Sequence, residues 1–217
     1  FMANLHFPLF SLPVGGHSRS ALYQALDGCR QQLSLSLEQP VDPYRLAVQL
    51  GCDVAVHFFE CQAVAGMLLQ SAKEEPPFLA VALLNGARTS QSQRFTLAHE
   101  MVHFMLHPRI PQRICRDSAA AGSVPLEWEA NEGAAELLLP YRRMLPFLAS
   151  MAALPFPQKV QRISARFQVS PITARFRLEG LKGDWEDYMS GTALSALPLL
   201  SRRAREQRYE LQKRPME

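Results

Sequence analysis

The sequence has few cysteines and lacks the features of a secreted or membrane-bound protein. Its four cysteines (Cys29, Cys52, Cys61 and Cys115) form no C-x-x-C pair and no dense framework, which predicts reduced thiols instead of a disulfide scaffold. No apolar run approaches the ~20 residues needed to span a bilayer. The first residues are interrupted by prolines and show no basic leader. We therefore expect a cytoplasmic protein that does not enter membranes.

The sequence also lacks a large excess of positive or negative charge. The net charge of +3 permits a contact with nucleic acid but does not argue for one. With 47% hydrophobic and 20% charged residues, the 217-residue chain has the composition of a globular protein with one sizeable core. Neither an internal repeat nor a low-complexity linker is visible. We expect a core over residues 1–140 and a helical C-terminal part over residues 141–217, packed together as one domain.

Hydrophobic periodicity predicts an α+β fold. Helices are predicted at residues 18–37, 41–51, 90–107, 125–139, 141–152, 157–167 and 170–178. Short apolar runs at residues 53–59, 63–69 and 78–84 predict a small antiparallel sheet. Residues 108–123 are expected to be an irregular link, and residues 201–217 a solvated helix or tail.

The helix at residues 90–107 carries the pattern H-E-x-x-H as His99-Glu100-Met-Val-His103. Residues four apart lie one above the other on a helix, so both imidazoles can reach one metal ion. In zinc proteases with this pattern, zinc lowers the pKa of a bound water to about 7 and the Glu takes its proton. The alternative is a buried helix whose histidines have ordinary hydrogen-bond partners.

Such a site needs a third protein ligand. His107 lies eight residues, or about 12 Å, along the helix from His99 and is too far to share one ion. It is better explained as a helix-end residue that interacts with the dipole. In the helix that follows, the wheel places Glu127 on the packed side. Glu129 remains an alternative ligand, and both acids could instead only favour the first turn.

The same wheel groups Glu129, Glu132 and Glu136 on a side that resembles a solvated face. Asn131, one turn after Glu127, is placed to hydrogen-bond a metal ligand. Tyr141, which follows this helix, is a weak candidate for stabilising an oxyanion. The predicted active site therefore draws on two helices and leaves the oxyanion stabiliser unassigned.

The stretch from Arg94 to His107, with Glu127-x-Glu-Ala-Asn131 and Ala134-Ala-Glu-Leu-Leu-Leu-Pro140, resembles the ImmA/IrrE metallopeptidases. The resemblance spans roughly residues 40 to 180. It implies a zincin-like core, one zinc ion per chain held by His99, His103 and Glu127, and Glu100 as the general base. The chain departs from the family at Gly133, where a large apolar residue is usual, which suggests altered packing beside the site.

The resemblance also implies a substrate. Known targets of the family are helix-turn-helix repressors, whose cleavage releases DNA-damage, mobile-element or anti-phage responses. Two alternatives are a regulatory sensor that keeps the fold without proteolysis and an antitoxin-like partner with a purely structural metal. The intact pattern of His99, Glu100, His103 and Glu127 favours the enzyme.

Two hypotheses concern control of the activity. Cys115 lies between the two ligand-bearing helices, where its thiolate could act as an inhibitory fourth ligand at the open zinc position; the alternative is an ordinary thiol. A basic surface could bind single-stranded DNA as an activator, although a solvated helical face explains the same residues. The arginines concerned are Arg162, Arg166, Arg175, Arg177, Arg202, Arg203, Arg205 and Arg208.

Overall fold

The computed structural model describes residues 19–71, 80–107, 112–116 and 124–193, with the backbone alone for residues 20, 112–116, 124 and 125. The helices are α1 (Arg19–Gln32), α2 (Pro43–Gln49), α3 (Ser90–Leu106), α4 (Val124–Leu138), α5 (Tyr141–Ala149), α6 (Phe156–Phe167), α7 (Pro171–Gly180) and α8 (Lys182–Met189). The strands are β1 (Cys52–His57), β2 (Val64–Gln70), β3 (Ala80–Asn85) and β4 (Gln112–Arg116). The α+β class expected from the sequence is confirmed.

Short-range signals in the sequence set several helix ends. The Asp42 side chain accepts a hydrogen bond from the backbone N–H of Tyr44, and Pro43 takes the first helical position of α2. Gly51 follows this helix with φ of +70°, a conformation that glycine adopts without steric cost. At the start of α3, Thr89 accepts from the backbone N–H of Ser92. The predicted helices at residues 41–51 and 90–107 are confirmed.

The sheet is mixed, with the strand order β1-β3-β2-β4. β2 pairs antiparallel with β3, as the sequence predicts for neighbouring runs, and also pairs antiparallel with β4. β1 instead pairs parallel with β3, so the prediction of a purely antiparallel sheet is wrong. The physical reason is strand order. β1 lies on the far side of β3 from β2, and an apolar pattern does not encode that order.

Two further elements differ from the sequence prediction. Residues 112–116, expected within an irregular link, form β4 at an edge of the sheet, because β2 supplies the backbone partners that these residues need. Helix α8 was not predicted at all, since its short sequence shows little apolar periodicity. The predicted tail at residues 201–217 lies outside the described residues.

The core is organised around α3, in which every residue from Thr96 to Leu106 is buried. This helix packs against β2 and β3 on one side and against α2 and α4 on others. One cluster of buried apolar side chains extends from Leu22 to Leu181 and therefore includes residues on both sides of position 140. Within the described ranges, no helix is both long and apolar enough to cross a bilayer.

A buried ionic cluster joins α7 to α4 and α1. The guanidinium of Arg177 donates to Glu132 Oε1 at 2.8 Å and also to Glu136 Oε2, while the Tyr23 hydroxyl donates to Glu132 Oε1 at 2.6 Å. Arg30 donates to the backbone oxygen of Glu136 at 3.1 Å. Burial raises the pKa of Glu136, and the positive charge of Arg177 opposes that shift.

This ionic cluster corrects two predictions. Glu129 and Glu136 are buried, so the expected solvated face of α4 is wrong, and Glu132 is only partly exposed. Arg177 is also buried and cannot belong to an exposed basic surface. Both errors share one cause. The partners come from segments distant in sequence, and a helical wheel contains no information about them.

Candidate metal centre

Three side chains from two helices converge at the start of α4. The Nε2 atoms of His99 and His103 lie 3.1 Å apart. One carboxylate oxygen of Glu127 lies 3.3 Å from His99 Nε2, and the other lies 3.4 Å from His103 Nε2. The potential ligand atoms of the three residues all lie within 4.8 Å of one another. The structure therefore brings together the three residues that the sequence proposed as metal ligands.

The chemistry of these three groups fits a divalent cation. Both imidazoles are buried, and each turns Nε2 towards the other and towards a carboxylate. Two imidazole nitrogens and one carboxylate oxygen are a common ligand set for catalytic zinc. Hydrogen bonds from His103 and His99 hold the pKa of the Glu127 carboxyl well below its ordinary value, so this group is a carboxylate near neutral pH. Glu127 is 29% exposed, which leaves an approach from solvent.

Asn131 contacts His99 at Nδ1, the ring nitrogen that does not face the other two ligand candidates. Its Oδ1 lies 3.1 Å from His99 Nδ1, one helical turn after Glu127 on α4. If His99 Nδ1–H donates to this oxygen, the Nε2 lone pair faces the other two ligand candidates. The sequence proposed this residue for the same kind of contact. Because Asn131 is exposed, its amide also meets solvent.

His107 and Glu129 support His103 in a way that the sequence analysis missed. His103 Nδ1 lies 2.7 Å from His107 Nδ1, and His107 Nε2 lies 3.3 Å from Glu129 Oε2. His107 is the C-cap residue of α3, but its ring is buried against these two residues, so an interaction with the helix dipole alone does not explain it. The available signal was its position, four residues after His103 on the same helical face.

Glu100 follows His99 directly on α3 and is buried. It is the carboxylate that the H-E-x-x-H pattern assigns to proton transfer, and its position in the chain keeps it beside the first histidine. Glu129, the alternative third ligand, contacts His107 instead of the histidine pair. The geometry therefore distinguishes the two acids that sequence reasoning left open.

Tyr141 lies away from this centre. Its ring stacks on that of Tyr23 with centroids 5.5 Å apart, and its backbone N–H donates to Glu136. Glu127 occupies the first turn of α4 and Tyr141 follows its last, a helix rise of roughly 15 Å or more. The structure therefore contradicts Tyr141 as an oxyanion stabiliser.

The predictions for Cys115 and for the basic surface involve residues that the structure describes only in part. The Cys115 side chain lies outside the described residues, although its backbone pairs with Gly66 in the β2–β4 ladder. Arg162, Arg166 and Arg175 are exposed on α6 and α7. The remaining arginines of the proposed basic surface, at positions 202, 203, 205 and 208, also lie outside the described residues. DNA binding therefore stays a prediction, with Arg177 removed from the set.

A histidine pair one turn apart, with a carboxylate from a second helix, is the arrangement of a metallopeptidase centre. Comparison with protein families agrees. The chain belongs to the Peptidase_M78 family, described as the IrrE N-terminal-like domain, whose model matches residues 54–179 and so more than half of the chain. The predicted ImmA/IrrE relationship is confirmed, and with it a peptidase with a metal cofactor. No individual curated protein matches the chain.

Proposed function

We propose that this chain is a zinc-dependent endopeptidase in which His99, His103 and Glu127 hold one zinc ion. The convergence of two buried imidazole nitrogens and one carboxylate within 4.8 Å carries the proposal. A zinc ion bound there would supply a Lewis acid that polarises a water and the scissile carbonyl. This ligand set matches the His₂Glu sites of catalytic zinc proteins, which keep one position open.

The chain's own residues divide the remaining work. Glu100 is the general base, which accepts a proton from the attacking water and returns it to the leaving amine. Asn131 orients His99 through its Nδ1 contact. The partly exposed Glu127 offers a route for a peptide to approach, because both histidines are buried.

The proposed substrate is a helix-turn-helix transcriptional repressor whose cleavage would release a DNA-damage, mobile-element or anti-phage response. Membership of the IrrE-like family supports this substrate class. A partly open site suits an endopeptidase better than a closed pocket does, since the substrate protein must place a segment of its backbone there. The competing function is a sensor that retains the fold and the metal without hydrolysis.

The decisive experiment combines the purified chain with the product of the neighbouring open reading frame, which this proposal expects to be a helix-turn-helix protein. Wild type loaded with zinc should cut this protein at one bond, identified by mass spectrometry. Glu100→Gln should bind zinc normally and leave the substrate intact. Glu186→Gln, an exposed acid on α8, is the matched control and should cut like wild type. A wild type that binds zinc stoichiometrically and cuts nothing would support the sensor instead.

Control by Cys115 is a second part of the proposal. Its strand pairs with Gly66, and the position of a Cβ on Gly66 lies 2.6 Å from Thr96 Cγ2 on α3, one turn before His99. The backbone of Cys115 therefore pairs with a residue of β2 that lies close to the active-site helix. If its thiolate restrains the enzyme, Cys115→Ala and Cys115→Ser should raise basal proteolysis. Cys61→Ala, at an exposed thiol, is the control. Unchanged basal rates in both Cys115 variants would rule the restraint out.

A further inference from the structure

We propose that Glu129 and His107 form a positioning chain that fixes the tautomer and ring orientation of His103. The chain runs from Glu129 Oε2 to His107 Nε2, at 3.3 Å, and from His107 Nδ1 to His103 Nδ1, at 2.7 Å. The inference rests on the proposed function, because it assigns His103 Nε2 to a metal ion. It adds two residues that do not touch the metal or the substrate.

Only one arrangement of protons satisfies every contact in this positioning chain. His103 must keep a lone pair on Nε2 to bind a metal, so its proton is on Nδ1. That N–H can donate to His107 Nδ1 only if His107 carries its own proton on Nε2. The Nε2–H of His107 then lies on the side of Glu129 Oε2, 3.3 Å away, as a polar contact that does not meet hydrogen-bond geometry. Each contact determines the next, and the carboxylate fixes the direction of the whole series.

Burial makes the positioning chain effective. The side chains of His107 and Glu129 are each 1% exposed, so water does not replace either partner. A buried carboxylate is costly unless it is hydrogen-bonded or paired, and His107 Nε2 is one polar group close to Glu129 Oε2. The carboxylate beside His107 Nε2 favours a proton on that nitrogen, and the hydrogen bond between the two rings passes this preference to His103.

The two histidines of the metal centre are therefore supported unequally. His99 Nδ1 faces the neutral and exposed amide of Asn131, whereas His103 Nδ1 faces a buried imidazole linked to a carboxylate. Water can take over the role of an exposed amide more readily than the role of a buried ring. Loss of His107 should consequently weaken metal binding more than loss of Asn131.

The test measures zinc affinity by competition with a chromophoric chelator, so it does not depend on activity. His107→Leu removes the acceptor and should weaken zinc binding roughly 10- to 100-fold. His107→Asn keeps an oxygen near the former Nδ1 position and should recover part of that loss. Glu129→Gln keeps the shape without the charge and should fall between His107→Asn and wild type. Asn131→Ala should lower zinc affinity less than His107→Leu does, and Glu186→Gln should leave zinc affinity unchanged.

Nitrogen NMR of the zinc-loaded protein provides the second readout. Wild-type His103 should show a protonated Nδ1, and this signal should broaden or change tautomer in His107→Leu. Affinities within about twofold of wild type in His107→Leu, His107→Asn and Glu129→Gln, with unchanged tautomers, would make the pair a purely structural contact. If His107→Leu does not fold, the zinc affinities and tautomers of His107→Asn and Glu129→Gln decide between these outcomes. Absence of zinc binding by wild type would overturn the proposed function together with this inference, whereas normal wild-type binding with unaffected variants overturns only the inference.

Discussion

Both methyl carbons of Val102 lie 2.9 Å from the position that a Cβ on Gly133 would occupy. Val102 is on α3 between His99 and His103, and Gly133 is on α4 two residues after Asn131. The two ligand-bearing helices therefore pack closely because one of them has no side chain at this point. The large apolar residue usual at this position in the family would not fit against Val102 without moving α4, and α4 carries Glu127.

Replacing Gly133 with Ala should destabilise the protein. The added methyl group overlaps a β-branched side chain that has little rotamer freedom in a helix, and such overpacking costs about 1–3 kcal/mol. Alanine returns ~1 kcal/mol through helix propensity, so the free energy of unfolding should fall by up to ~2 kcal/mol. Urea denaturation of the metal-free protein measures it. Val102→Ala should relieve the overlap in the double variant, and strictly additive effects would contradict the contact.

Zinc should stabilise the folded chain. A ligand that binds only the native state adds about 2.7 kcal/mol at a concentration 100 times its Kd. The melting temperature should therefore rise with added zinc and fall after chelation. His103→Ala should show no zinc-dependent shift. Magnesium is the control ion, because a site with two imidazoles favours zinc over a cation that prefers oxygen ligands. An equal shift with magnesium would argue against the proposed ligand set.

Arg177 and Arg175 are two residues apart on α7 and offer a matched comparison. Arg177 is buried against Glu132 and Glu136, so Arg177→Met leaves the buried Glu136 carboxylate and the partly exposed Glu132 without this cation and should cost about 3–5 kcal/mol. The Arg175 side chain is 65% exposed and pairs with Glu179 across one turn, so Arg175→Met should change stability by less than ~0.5 kcal/mol. Chemical denaturation compares the two, and similar losses would contradict the assignment of Arg177 to a buried cluster.

Two thiols should be protected in the native state. Burial raises the pKa of Cys29 and of Cys52 to about 12, from an ordinary value of 9.0. The folded state therefore retains these protons longer than the unfolded state. The resulting stabilisation is complete below pH 9 and is lost as pH rises towards 12. At pH 8, iodoacetamide should modify the exposed Cys61 but neither buried thiol.

Peptide mass spectrometry in a Cys115→Ala background checks this pattern, and the urea-unfolded chain is the control in which all remaining thiols react. Labelling of Cys29 or Cys52 at the rate of Cys61 would show that the native state opens more readily than the packing implies. Measured between pH 9 and 12, the free energy of unfolding should decline. A constant value across that interval would contradict the direction of the two pKa shifts.

Local signals in the sequence were sufficient for α2 and for α3, which carries two of the proposed metal ligands. The spacing of His99 and His103, the Asp42 cap and the Thr89 cap all act within a few residues. The wheel of α4 was less reliable: it placed Glu127 inward and Glu129 outward, whereas Glu129 is buried and Glu127 is partly exposed. A helical wheel separates polar from apolar sides. It cannot distinguish an acid at a partly exposed metal site from an acid in a buried ionic contact.

The remaining errors arose from contacts between distant segments. The partner of Glu129 is His107 on another helix, and the partner of Glu136 is Arg177, 41 residues further along the chain. The parallel pairing of β1 with β3 depends on strand order, which no single run determines. Side chains whose burial depends on a partner elsewhere cannot be placed by periodicity alone.

The contact between Arg19 and Asp184 sets a lower limit on how far this protease can be trimmed. Arg19 Nη2 lies 3.1 Å from Asp184 Oδ2, with both side chains buried, so the first helix described is fastened to the last. A fragment cut after α4 would retain every proposed zinc ligand, but Arg19 would lose Asp184, and Glu132 and Glu136 would lose Arg177. A miniaturised enzyme would therefore have to extend at least to Asp184, about 57 residues beyond its last zinc ligand.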